Sequence, residues 1–223
     1  MNEAKENILN QIQSGLGRGP LPEAAKEALD RRLASPDRSV IPERIRVTGQ
    51  ALVQEFLRMT TGEATTVSKV ERQEDIPETV ATYLREKGLP ESVVIAPDPA
   101  ITEMPWGKSG IRVHPGRAEA ADLTSITPAF AGIAETGCMM LLSGPKHPYT
   151  LNFLPENHIV VLKSNRIVAA PEDAFKLIKE EFGQGRMPRT VLMVAGPSRS
   201  GDIGTALHFG AHGPKRLHCI LVD

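Results

Sequence analysis

The sequence predicts an α/β fold in three layers, built on a mainly parallel sheet with a helical N-terminal arm. Three observations carry this. Mostly apolar runs recur at residues 92–96, 138–142, 158–162, 191–195 and 217–222, as expected of strands buried on both faces. Helical periodicity precedes the first of them at 75–87 and separates two others at 171–182. Proline and glycine close most of the runs, as in Pro97-Asp98-Pro99, Pro128 and Gly196-Pro197. Strands alternating with helices imply a parallel sheet covered on both sides.

The elements follow in order. Residues 4–16 form an amphipathic helix with Ile8, Leu9, Ile12 and Leu16 on one face. Gly15, Gly17, Gly19 and Pro20 break it. A helix this short docks either on its own domain or on another surface, a second copy of the chain or a partner. Residues 22–33 give a second helix, and 35–42 read as a linker. A helix running from Thr48 to Gly62 opens the main domain, so residues 1–44 are assigned to the arm and linker and 45–223 to the α/β domain. Strands are expected at 64–70, 92–96, 111–114, 123–127, 138–142, 158–162, 167–169, 191–195 and 217–222. Residues 129–134 suit one helical turn. Trp106, the only tryptophan, suits packing.

Composition sets limits. The 223 residues are 40% hydrophobic and 24% charged with a net charge of −1. A nucleic-acid surface would be basic, so none is expected. No apolar run is long enough to span a bilayer, and the N-terminal residues lack the pattern of a secretory signal. Cys138 and Cys219 fall in expected strands, outside any Cys-x-x-Cys pattern. They read as reduced apolar residues of a cytoplasmic protein, and two thiolates fall short of the four an ordinary iron–sulfur cluster takes.

Two stretches are dense in special residues. In the first, the run 191–195 ends in Gly196-Pro197-Ser198-Arg199-Ser200, and Gly213-Pro214 precedes the last strand. A strand, a small-residue turn and a helix start over 202–207, capped by Ser198 or Ser200, place backbone N–H groups at a C-terminal sheet edge. Such groups attract anions, and Arg199 adds a cation. The ligand-binding candidates there are Gly196, Ser198, Arg199, Ser200, Asp202, His212 and Gly213; the plain alternative is a tight connection with Arg199 in solvent. In the second, Glu135-Thr136-Gly137 precedes an apolar strand. A partly buried Glu135 would titrate nearer neutrality and move protons, with Thr136 and Gly137 against a ligand; the alternative is a structural ion pair or cap. His208 and His212, four apart, would share a helix face, but Gly210 interrupts it and no third ligand stands out, so no metal is expected. His158 reads as a core histidine.

These stretches also resemble a known family. Gly196-Pro-Ser-Arg-Ser-Gly-Asp-Ile203 with Gly213-Pro214 and Leu217-His218, Gly132-Ile-Ala-Glu-Thr-Gly137 with Leu154-Pro-Glu-Asn-His158, and Ile8 to Arg18 resemble the lactate utilization protein C family, which carries a LUD domain. The resemblance implies the fold of CoA transferases, sugar-phosphate isomerases and 5-formyltetrahydrofolate cyclo-ligase, with Glu135 as the candidate catalytic residue by fold-level analogy to the glutamate nucleophile of CoA transferases. It implies an accessory role in oxidising L-lactate to pyruvate, beside two iron–sulfur lactate utilization proteins that hold the clusters, with no cofactor in this chain. Two other functions stay open: a stand-alone enzyme or binding protein for an organic anion, phosphate or nucleotide, and a pure interaction protein.

Overall fold

The computed structural model describes residues 2–35, 40–183, 185–201 and 208–223. The chain divides into two compact units, Met1–Val40 and Ile41–Asp223. The first contains helices α1 (Asn2–Gly15) and α2 (Glu23–Ala34). Ile8, Leu9, Ile12 and Leu16 of its apolar face are each more than half exposed.

The second unit contains, in order, α3 (Gln50–Gly62), β1 (Thr66–Val70), α4 (Ile76–Glu86), β2 (Ser92–Ile95), α5 (Pro99–Thr102), β3 (Arg112–Pro115) and β4 (Thr124–Pro128). There follow β5 (Ala131–Ile133), β6 (Cys138–Leu142), β7 (Asn157–Lys163), β8 (Ile167–Val168), α6 (Pro171–Phe182), β9 (Val191–Val194), β10 (Arg199–Ser200), β11 (His208–Phe209) and β12 (Arg216–Val222).

Six of these strands form one parallel sheet in the order β1-β12-β7-β4-β2-β3. Its centre is apolar on both faces because both are covered. Ile159 and Val161 of β7, with Ile220 and Val222 of β12, pack under Ile76, Val80 and Leu84 of α4, which recur every four residues on one helix face. The intervening Val160, Leu162, Cys219 and Leu221 pack with Val53, Phe56 and Leu57 of α3 on the other side. Trp106 is buried under α4, its Nε1 donating to the Ile101 carbonyl at 2.8 Å.

Two expectations need correction. Residues 131–133 form a strand, not a helical turn, and it starts a second, four-stranded sheet in the order β8-β5-β6-β9. This sheet is antiparallel except for the β5–β8 pair. Met139 and Leu141 of β6 face the α3 side of the main sheet, while Met140 packs with Ala174 and Ile178 of α6. An apolar run buried on both faces reads the same in either sheet. The run 191–195 is also not fully buried: β9 pairs only with β6 in that sheet, and Met193 is 44% exposed.

Candidate functional site

Both motif stretches converge on the C-terminal half of α3. Residues 134–137 turn the β5–β6 hairpin. Gly137, at φ +68°, lies so close to α3 that an added Cβ would sit 2.6 Å from the Met59 carbonyl carbon and 2.8 Å from Thr60 Cα. Thr60 Oγ1 donates to the Gly137 carbonyl at 2.8 Å. The glycine lets backbone approach backbone, which is its use here. Thr136 Oγ1 accepts from the Cys138 N–H at 3.3 Å within the same turn. Glu135 is half-buried; its N–H donates to the Ala169 carbonyl at 3.0 Å, and its own carbonyl accepts from Arg44 at 3.1 Å. Those bonds engage the backbone of Glu135, not its carboxylate. Glu135→Gln is therefore expected to change stability by less than ~0.5 kcal/mol, measured by urea unfolding; a larger loss would show a structural charge.

The second stretch meets the same helix three residues on. A Cβ on Gly196 would collide with the carbonyl oxygen of Glu63, the residue that caps α3. Arg199 reaches back to that residue, donating to the Glu63 carbonyl at 2.6 Å and to its Oε2 at 2.9 Å. Its cation thus satisfies a helix C-terminus and a carboxylate of its own chain. Ser198 Oγ accepts from the His212 N–H at 3.1 Å, its N–H donates to the Pro214 carbonyl at 2.8 Å, and Gly213 packs beside Ser198. Ser200 is buried in β10, which pairs with β11 as a two-stranded ribbon. His208 lies in β11, so it does not share a helix face with His212. Asp202 and the helix expected over 202–207 lie outside the described residues.

These loops lie at the opposite edge from the one the sequence suggests. Pro214 precedes β12, whose Arg216 pairs with Asn157 at the start of β7, and Glu63 precedes β1. The Gly196–Gly213 turns therefore adjoin the N-terminal edge of the parallel sheet. Removing the Arg199 side chain should cost about 1 kcal/mol, a charge-assisted bond discounted for its partial exposure, seen as a lower urea midpoint. No loss at all would mean that the Glu63 contact contributes nothing.

His158 is a buried core histidine. Its Nε2 lies 2.7 Å from Thr127 Oγ1, and burial pushes its pKa down to about 3. His218, stacked on Tyr83 at 4.3 Å and 2.8 Å from Thr66 Oγ1, is pushed down to about 4 by burial and then by Lys87. Both rings are held neutral at pH 7.

The C-terminal edge of the sheet holds what the sequence reading missed. A cleft of about 650 Å³ opens there. Residues following β2 (Asp98, Ala100), β4 (Ala129, Phe130), β6 (Ser143 to His147) and β7 (Arg166) line it, with Lys163 at the end of β7. His147 Nε2 lies 3.1 Å from Asp98 Oδ2, while Asp98 Oδ1 accepts from the Ala100 N–H at 2.9 Å. Arg166 lies over the Phe130 ring at 4.6 Å, donates to the Phe130 carbonyl at 2.9 Å and pairs with Glu181 at 3.3 Å. The available signal was positional: a short polar loop after each apolar run, Pro97-Asp98-Pro99 and Ser143 to Pro148 among them.

Comparison with known proteins places the C-terminal part of the chain. Residues 115–222 match the family model described as the LUD domain. This part of the chain is thus similar to the LUD domain. Lactate utilization protein C of Shouchella clausii is 34% identical over 107 residues, 48% of this chain and 46% of that protein. Its namesake from Geobacillus sp. strain WCH70 is 33% identical over 118 residues, 52% and 48% of the two chains. A Neisseria meningitidis protein named Uncharacterized protein NMB1437 is 36% identical over 89 residues, 40% and 37%. The chain thus spans about half, or less, of the length of the curated relatives it matches. A crystal structure of a DUF162 family protein from Deinococcus radiodurans superposes with a TM-score of 0.60 at 20% identity, covering 79% of this chain and 99% of that one. That likeness concerns the fold alone. The helices flanking a mainly parallel sheet agree with that fold, and among the described residues no helix is long and apolar enough to cross a membrane.

Proposed function

We propose that this LUD-domain chain is an accessory protein of lactate utilization, acting in the oxidation of L-lactate to pyruvate beside partners that carry the redox centres. The observation that supports it is the identity of 33–34% to proteins named lactate utilization protein C. The chemistry of the chain agrees. Oxidising a hydroxy acid to a keto acid releases two electrons, which need an acceptor. Of the two cysteines, Cys219 is buried in β12 and burial pushes its thiol up to about 12, so it is not poised as a thiolate ligand. Cys138 alone is half-buried. In this proposal the electron acceptor belongs to partners, two iron–sulfur proteins. The cell compartment that goes with it is the cytoplasm. Deleting the gene should abolish growth on L-lactate as sole carbon source and leave growth on pyruvate intact. Equal growth of the deletion strain and its parent on lactate would refute the role.

A further inference from the structure

We infer that the cleft at the C-terminal edge of the parallel sheet is a binding site for an organic anion with an apolar body, larger than lactate itself. The inference does not depend on the role in lactate use.

Topology opens the cleft. Neighbouring strands β2 and β4 send their connections to opposite faces of the sheet. After β2 the chain runs to Ile101 and Trp106, which pack with α4; after β4 it runs to Ala129, which packs on the α3 side. Neither connection fills the space between them, and such a divergence is where open α/β sheets take ligands. The cleft's volume of about 650 Å³ lies within the roughly 300–1,000 Å³ of small-molecule and cofactor sites. A simple hydroxy acid would leave most of it empty.

Charge selects the ligand. The acids that line the cleft are engaged, Asp98 by His147 and the Ala100 N–H, Glu181 by Arg166. Lys146 and Lys163 line it too, and neither has an ion-pair partner among the described residues. The cleft thus presents uncompensated positive charge on a chain whose net charge is −1. Apolar Pro128, Phe130, Leu142 and Val161 line the same cleft. Lysines and apolar side chains lining one cleft suit a carboxylate, sulfonate or phosphate attached to an apolar or aromatic body.

The wall that carries Lys146 is braced before any ligand arrives. Gly144 and His147 exchange both backbone hydrogen bonds, at 3.0 and 3.2 Å. His147 is tied to Asp98, and Ser143 bonds Thr190 through its N–H and through its Oγ. A turn held at three points loses little freedom on binding, which favours affinity.

The test uses the full-length chain and two probes of similar shape, the anion 8-anilinonaphthalene-1-sulfonate and the neutral N-phenyl-1-naphthylamine. The sulfonate should bind saturably, one per chain. The double variant Lys146→Glu/Lys163→Glu should weaken it at least about tenfold, with the neutral probe changed less than about twofold. Ala100→Trp, which fills the cleft, should weaken both probes. Lys146 and Lys163 are exposed, so thermal unfolding of the double variant should match the parent. Should Ala100→Trp fail to fold, the charge-reversal pair decides alone. Sulfonate affinity unchanged in the double variant, binding that does not saturate at one per chain, or no effect of a folded Ala100→Trp protein would overturn the inference.

Discussion

Gly137→Ala is expected to destabilise the protein by about 3–5 kcal/mol. A non-glycine residue at φ +68° costs on the order of 1–2 kcal/mol. The added methyl would press on the backbone of Met59 and Thr60, and forced overpacking costs roughly 1–3 kcal/mol more. The neighbour is helix backbone, which cannot swing aside as a side chain can, so the hairpin or α3 has to move. Displacing either weakens the bond from Thr60 Oγ1 to the Gly137 carbonyl, worth about 1 kcal/mol. Gly62→Ala is the control: nothing lies within 4 Å of its added Cβ, and alanine near the end of a helix is neutral or mildly stabilising. Urea unfolding of the two variants should separate them clearly. A loss below about 1 kcal/mol in Gly137→Ala would mean that the close approach to α3 is not a constraint on the fold.

Stability should fall by about 4 kcal/mol between pH 7.5 and pH 5. Burial pushes His158 to about 3 and His218 to about 4 from an ordinary value of 6.5. Between those values the unfolded chain binds the protons and the folded chain does not, so stability rises with pH there. The contribution is complete above 6.5 and is lost progressively as pH falls toward 4 and then 3. At pH 5 each ring costs about 2 kcal/mol, one and a half decades below its unfolded pKa. The carboxylate whose pKa is depressed, Glu55, acts only at lower pH, so the window from 6.5 to 5 belongs to the histidines. Urea denaturation at several pH values measures the slope directly. A flat profile across that window would show that the folded rings accept protons.

The parallel core was legible in the sequence because residues 159–162 and 219–222 are buried on both faces and are apolar throughout, with His158 and His218 the buried polar residues beside them. The second sheet was not. Ala131-Gly132-Ile133 is too short and too glycine-rich for a period to show, and its strand state comes from Cys138 to Met140 across the hairpin and from β8 alongside. The motif glycines announced unusual backbone, but the sequence near them does not say what approaches. At Gly137 and Gly196 it is α3, more than 70 residues earlier in the chain. The cleft was hidden for a related reason. Asp98, Phe130 and His147 follow three different strands and Lys163 ends a fourth, and only the folded topology brings them to one edge. Each looks like an ordinary loop residue when read locally.

We infer that the working surface lies at the C-terminal edge of the parallel sheet, while the motif turns at the other edge hold α3 in place. Amide chemical-shift mapping of the isotope-labelled chain, titrated with 8-anilinonaphthalene-1-sulfonate, tests it most directly. Shifts are predicted around 98–101, 129–130, 143–147 and 163–166, with little change at 135–137, 196–200 and 212–213. Shifts centred on Glu135, Arg199 and His212, with the cleft residues unmoved, would contradict the account.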